Sequence, residues 1–285
     1  MKHDWTRKGA LAGGALVAAV AVLLVLGGAR SGAAADRARD TLRFELPAAA
    51  TDRVYGAPGT AGRPIVVIDA GHGGTDPGAV SVSGQVSEKQ LTLALADELR
   101  DLLIERGRVR VAMTRREDRY LSLEDRAAVA RRLNAGLFVS LHMDSAPNPL
   151  ARGASVYSLS DIASDAEAAR FAAAENRGAA ADNASGSVEA ILSDLAMRTQ
   201  MSASADLATR LVNKSTGRFE LRPEPHRFAS FHVLRRAATP AVLFEAGYIS
   251  NTDDEALLSA PEHRSAIALA LAQAIEADVA ARSRH

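Results

Sequence analysis

The sequence predicts an α/β fold: a single domain with a mostly parallel central sheet flanked by helices, plus an inserted helical segment. Three observations lead there. Apolar runs rich in Val, Ile, Leu and Phe recur at 65–68, 137–141 and 241–244. They are continuous rather than alternating, as strands buried on both faces are. Stretches with helical periodicity and capping signals fall between the strands, the pattern of a parallel sheet.

The first 35 residues read as an export segment. Lys2, Arg7 and Lys8 precede an apolar run at 10–26, and small residues up to Ala35 supply a cleavage site. The run is borderline in length for a membrane span, so a cleaved signal peptide and an uncleaved inner-membrane anchor both fit. Either way the remainder is placed outside, in the periplasm or beyond. Residues 36–63 are rich in Ala, Arg and Asp and then in Gly and Pro, which predicts a tether with little fixed structure. The folded domain is expected over 64–282.

Within it, the strand at 65–68 stops in the turn Gly71-His72-Gly73-Gly74-Thr75-Asp76-Pro77-Gly78. The glycines permit a tight turn that leaves His72 uncovered at the end of a strand, where ligands of open α/β sheets gather. Ser87-Glu88-Lys89-Gln90 fits a capping box, and Leu91, Leu95, Leu99 and Leu103 form one stripe. A helix over 88–106 follows, closed by Gly107, with Glu88 held in its first turn. A strand at 109–113, a helix opened by Ser122 and a strand at 137–141 come next. That last strand delivers His142 in the same way as the first delivers His72.

Residues 153–159 read as a strand. The region 161–219 is polar and Ala-rich, with helical stretches near 163–176, 188–198 and 202–213. Its length exceeds what a connection between two strands needs. Strand composition returns at 231–234 and 241–244, the latter delivering Glu245, and a helix over about 261–280 closes the chain.

Composition narrows the chemistry. With 34 basic and 34 acidic residues the chain has no net charge, and no basic stripe marks a nucleic-acid partner. Cysteine is absent, so any metal must be held by His, Asp or Glu. His72, Glu88 and His142 form a His/Glu/His set, the complement of a catalytic zinc that keeps one position open for water. A glutamate ending a buried strand is costly unless used, which makes Glu245 the natural general base and acid. The motifs G-x-S-x-G, Gly-Lys-Ser/Thr and H-E-x-x-H are missing, which argues against a serine hydrolase, a P-loop enzyme and an HExxH protease.

Four motifs occur in order: Val67-Ile68-Asp69-Ala70-Gly71-His72-Gly73-Gly74, Ser87-Glu88-Lys89, Ser140-Leu141-His142-Met143-Asp144-Ser145 and Pro240 to Asn251. Together they resemble the zinc-dependent N-acetylmuramoyl-L-alanine amidases, the AmiA/AmiB/AmiC-like cell-wall hydrolases. Ala70 and Met143 stand where that family often has Pro and Ala. The resemblance implies Zn²⁺ on His72, Glu88 and His142 and catalysis by Glu245. It implies peptidoglycan as substrate, cut between N-acetylmuramic acid and L-alanine during cell division and daughter-cell separation. It further implies autoinhibition by a helix in 161–219 that an activator protein displaces. Glu189 is the first choice for the inhibitory metal contact and Glu175 the second. The rival readings are another exported zinc amide hydrolase of the wall, a carboxypeptidase, and a non-catalytic wall-binding domain.

Overall fold

Every residue of the three long runs is buried, which requires helices on both sides of the sheet. The computed structural model describes residues 52–179 and 188–283, with side chains from 194 onward in the second stretch. The elements are β1 (Val54–Tyr55), β2 (Ile65–Ala70), α1 (Glu88–Arg106), β3 (Arg110–Met113), α2 (Leu123–Arg132), β4 (Leu137–Asp144) and β5 (Ala154–Leu159). They continue with α3 (Ala166–Glu175), α4 (Val188–Ser215), β6 (Leu221–Ala229), α5 (His232–Arg236), β7 (Ala241–Tyr248), α6 (Thr252–Ser259) and α7 (Pro261–Arg282).

The strands form one sheet in the order β1-β3-β2-β4-β7-β5-β6. β3, β2, β4 and β7 are parallel neighbours, β1 and β5 each join antiparallel, and β6 runs parallel to β5. The reversal matters for the site. It brings the first residues of β5 and β6 to the edge where β2, β4 and β7 end.

The core follows the period-2 alternation of the strands. Val66, Ile68, Val139, Leu141, Val242 and Phe244 face the leucine stripe of α1, Leu207 and Leu211 of α4, and Ile267, Leu271 and Ile275 of α7. On the other side Val67, Phe138, Tyr157 and Leu243 meet Ala168 and Ala172 of α3, Val129 of α2 and Leu234 of α5. Each fully buried large side chain contributes about 1.5–3 kcal/mol. α1 is set as its sequence requires. Gln90 Oε1 accepts from the Ser87 backbone N–H at 2.9 Å, and Gly107 closes the helix in the left-handed region at φ 64°.

Several expectations need correction. The tether does not reach Arg63: Val54 and Tyr55 pair with Ala112 and Val111, and Arg132 grips Asp52 with bonds of 2.7 and 2.8 Å. Two β-favouring residues suffice for an edge strand and are too few to show periodicity. Phe231-His232-Val233-Leu234 opens a short helix rather than a strand; a four-residue apolar run does not tell the two apart. The helical stretches at 188–198 and 202–213 are one helix, because Thr199–Met201 carry no breaker. Since Leu207 and Leu211 lie in the core, the second half of the expected insertion is a structural layer of the domain. β6 contains Pro223 and Pro225 and was unforeseen; an edge strand tolerates them. α6, capped by Asn251, was also unforeseen. The export segment falls outside the described residues, as does the side chain of Glu189. No helix among the described residues is long and apolar enough to cross a membrane.

Candidate metal centre and the cleft over it

Three elements deliver three donor groups to one point. The turn after β2 presents His72, the first turn of α1 presents Glu88, and β4 presents His142. One ligand atom from each lies within 4.8 Å of the others. Glu88 Oε1 is 3.0 Å from His142 Nδ1 and 3.1 Å from His72 Nε2. The second contact lacks hydrogen-bond geometry, so His72 Nε2 is a buried nitrogen without a hydrogen-bond partner. Burial alone would lower the His72 pKa, but Glu88, Glu175 and Asp76 raise it to about 10. A pocket that draws a proton this strongly holds an excess of negative charge suited to a cation. The donor set of two imidazoles and a carboxylate fits a metal ion.

Glycines make the convergence possible. A Cβ on Gly71 would stand 2.5 Å from the His142 ring, and one on Gly78 would stand 2.5 Å from Glu88 Oε2. His72 itself lies in the left-handed region at φ 57°. Ring and backbone are each held: Asp76 Oδ2 meets His72 Nδ1 at 2.8 Å, and Arg126 Nη2 donates to the His72 carbonyl at 2.7 Å. The other oxygen of Glu88 accepts from the Ala79 N–H at 2.9 Å, and Oε1 also accepts from the Met143 N–H at 3.0 Å. Burial would raise Glu88, yet the two histidines hold it well below the usual carboxylate range.

Beneath this lies a buried network that sequence reasoning missed. Asp69 accepts from Thr114 Oγ1 and Ser140 Oγ at 2.7 Å and from Arg126 Nη1 at 2.9 Å. Arg126 and Arg115 also donate to the carbonyl of Ala70, and Arg115 to that of Gly71. Two guanidinium groups thus replace the ladder bonds that β2 loses as it leaves the sheet. The one sequence signal was an aspartate inside an apolar strand.

Glu245 lies beside His142 in the register of β4 and β7 and is fully buried, and neither oxygen makes a hydrogen bond. Burial, with Asp144, Glu88 and Glu175 nearby, pushes its pKa well up. Asp144, two residues after His142, is raised to about 7 by burial, the Ser145 N–H opposing and Glu167 and Glu88 adding to the shift.

A cleft of about 550 Å³ opens over the group and is bounded by Tyr120, Asp144 and Phe171. α3 closes one side of it. Glu175, its last residue, places Oε2 3.5 Å from His142 Nδ1 and 3.8 Å from His72 Nε2. Of the two residues named for an inhibitory contact, Glu175, the second choice, reaches the donor group; the side chain of Glu189, the first, lies outside the described residues. Asn176 fastens this end, donating to the Ser230 carbonyl at 2.7 Å and accepting from the His232 N–H at 2.8 Å.

Comparison with known proteins points one way. Residues 66–277 match the family model described as N-acetylmuramoyl-L-alanine amidase. The chain is 34% identical over 223 residues to N-acetylmuramoyl-L-alanine amidase AmiA of Escherichia coli (strain K12), covering 75% of each. It is 34% identical over 220 residues to AmiC of Neisseria meningitidis serogroup B, covering 75% of this chain and 52% of that one. Among solved structures, the catalytic domain of CwlV, an N-acetylmuramoyl-L-alanine amidase from Bacillus (Paenibacillus) polymyxa var. colistinus, aligns with a TM-score of 0.52 at 29% identity. That alignment covers 74% of this chain and 96% of that domain.

Proposed function

The chain belongs to the N-acetylmuramoyl-L-alanine amidase family, and from that premise we propose an exported zinc amidase. It cuts the bond between the lactyl group of N-acetylmuramic acid and L-alanine of the peptidoglycan stem. The observation that carries the reading is the convergence of His72, Glu88 and His142 within 4.8 Å, at the strand ends beside Glu245. Two imidazoles and one carboxylate with an open position form the donor set of a hydrolytic zinc. Zinc, when bound, polarises the scissile carbonyl and brings the pKa of water toward neutrality.

The chain's own residues supply the rest. Asp76 engages Nδ1 of His72 and so turns Nε2 toward the donor group. Glu245 takes a proton from the attacking water and returns it to the leaving amine. With α3 in place, the Glu175 carboxylate stands over the donor group, 3.5 Å from His142 Nδ1 and 3.8 Å from His72 Nε2. Moving α3 away removes the Glu175 carboxylate from the open position and admits water and substrate to the donor group. The resting chain is in this reading self-blocked, and the activator is a partner protein that binds the displaced state of α3 more tightly. Export fits a substrate outside the inner membrane and a role in daughter-cell separation.

The test measures zinc content and hydrolysis of peptidoglycan sacculi by the purified chain, with and without chelator, and identifies the released ends. New L-alanine amino termini support the amidase; free D-alanine makes it a carboxypeptidase. His72→Ala and His142→Ala lose zinc and activity together. Zinc-independent hydrolysis would overturn the reading.

A further inference from the structure

The first turn of α3 makes a second set of contacts, remote from the histidines. Glu167 lies in a cradle of donors. Arg222 grips it with two parallel bonds of 2.8 and 3.0 Å, and Tyr248 OH donates to its Oε1 at 3.1 Å. Arg227 Nη2 approaches its Oε2 at 3.4 Å. Arg227 is only 4% exposed, pairs also with Asp165, and donates to Tyr157 OH at 3.1 Å. The Arg222 guanidinium lies 5.2 Å from the centre of the buried Tyr248 ring. A planar fork with a phenol beside it is the geometry that recognises a carboxylate.

The place of this cradle in the fold carries the argument. Arg222 is the second residue of β6, and the reversal of β5 and β6 brings it to the sheet edge where His72, His142 and Glu245 stand. Tyr248 pairs with Asp144, which lines the cleft. From Glu167 to Glu175 the helix rises roughly 12 Å. The first carboxylate occupies the arginines and the second occupies the donor group.

In the activation proposed above, displacement of α3 withdraws both Glu167 and Glu175 at once. Arg222 then loses the carboxylate it grips, and Arg227, almost wholly buried, keeps only Asp165; a buried cation short of anions is costly. We propose that Arg222, Arg227 and Tyr248 form a subsite for a carboxylate of the acidic stem peptide, which Glu167 fills in the resting chain. An extended peptide covers ~3.3–3.6 Å per residue, so the carboxylate recognised lies about three residues from the cleaved bond. α3 in this reading imitates bound substrate at both ends. The inference rests on the amidase reading for its substrate.

The experiment uses the zinc-loaded full-length chain carrying Glu175→Ala, with two soluble muropeptides, one with free stem carboxylates and one with them amidated. Arg222→Gln is expected to raise KM for the free form about ten- to a hundredfold, the range of a charge-assisted pair, with kcat changed by less than about twofold. It should leave the amidated form unaffected, and Arg222→Lys should keep part of the preference. Equal weakening of both peptides, or no change in either, would overturn the subsite. A mere clamp on α3 would show itself differently: Arg222→Gln and Glu167→Gln would raise basal hydrolysis alike, with peptide preference intact. Calorimetric titration of both muropeptides into the Glu245→Gln chain reads the subsite without turnover. If no variant cleaves, the amidase reading fails, while a carboxylate preference that Arg222→Gln abolishes still supports the subsite.

Discussion

The floor and the roof of the cleft are built by opposite means. The floor is the ends of β2, β4 and β7, strands with every residue buried, braced by Asp69, Arg115 and Arg126. Those buried charges aim at backbone carbonyls, which fixes where His72 and its turn lie. The roof is the ten-residue α3, which buries two alanines and packs Phe171 on Tyr157 and Phe231. Its ends are fastened by Glu167 and Asn176 through polar contacts that water or another ligand can replace. The donor group depends on geometry and needs a floor that does not move. In the proposed mechanism the roof leaves as substrate enters, which draws it from the less stable part of the fold.

Four substitutions press on this contrast. The largest effect is expected at Glu245→Gln, which keeps zinc by elemental analysis and loses about 10²–10⁴-fold in turnover; hydrolysis near the wild-type rate would remove Glu245 from its role. Next is Asp69→Asn, which leaves Arg126 buried without its anion and costs about 3–5 kcal/mol in denaturant unfolding. Burial would raise the Asp69 pKa, but Arg126, Thr114 and Ser140 hold it below the usual range. A depressed carboxyl stabilises the fold at pH above its unfolded value of about 3.9. That stability is lost as pH falls below it, and the variant should lack this acid-dependent component.

Smaller effects belong to the roof. Glu175→Ala is expected to raise basal sacculus hydrolysis about tenfold or more, since the blocking state loses its contact with the donor group. Unchanged basal hydrolysis would dismiss Glu175 as the block. Asn176→Ala removes two hydrogen bonds of about 0.5–1.5 kcal/mol each, so it should raise basal hydrolysis severalfold while leaving the unfolding midpoint nearly in place. A large loss of global stability would make α3 part of the floor.

The same contrast explains what could be read from the sequence. His72, Glu88 and His142 were legible because each follows a strong local signal: a continuous apolar run, a capping box, another run. The position of Glu245 in a buried strand was legible for the same reason. The Asp69–Arg126 pair joins residues far apart in the chain, and no local pattern announces it. Glu189 drew attention because Val188, Ile191, Leu192 and Leu195 fall at helical spacing in the sequence around it. Glu175 ends an alanine-rich helix with no such stripe, and its position depends on Asn176 and Phe171 finding partners in the segment 230–232. β6, with two prolines and four charged or titratable residues, is a strand only because β5 offers it an edge.

His72 has one more consequence. Its left-handed backbone admits few side chains: glycine freely, and Asn, Asp and His far more readily than the rest. Of these only histidine and aspartate are strong metal donors. The turn therefore filters which ions the centre could ever be re-engineered to prefer. A thiolate or a glutamate at this place would have to distort the chain before meeting any ion. Among donors other than histidine, aspartate fits the backbone, and its hard oxygen would move the proposed centre's preference from zinc toward magnesium or manganese. One dihedral angle thus narrows the donors that this place in the turn accepts without strain.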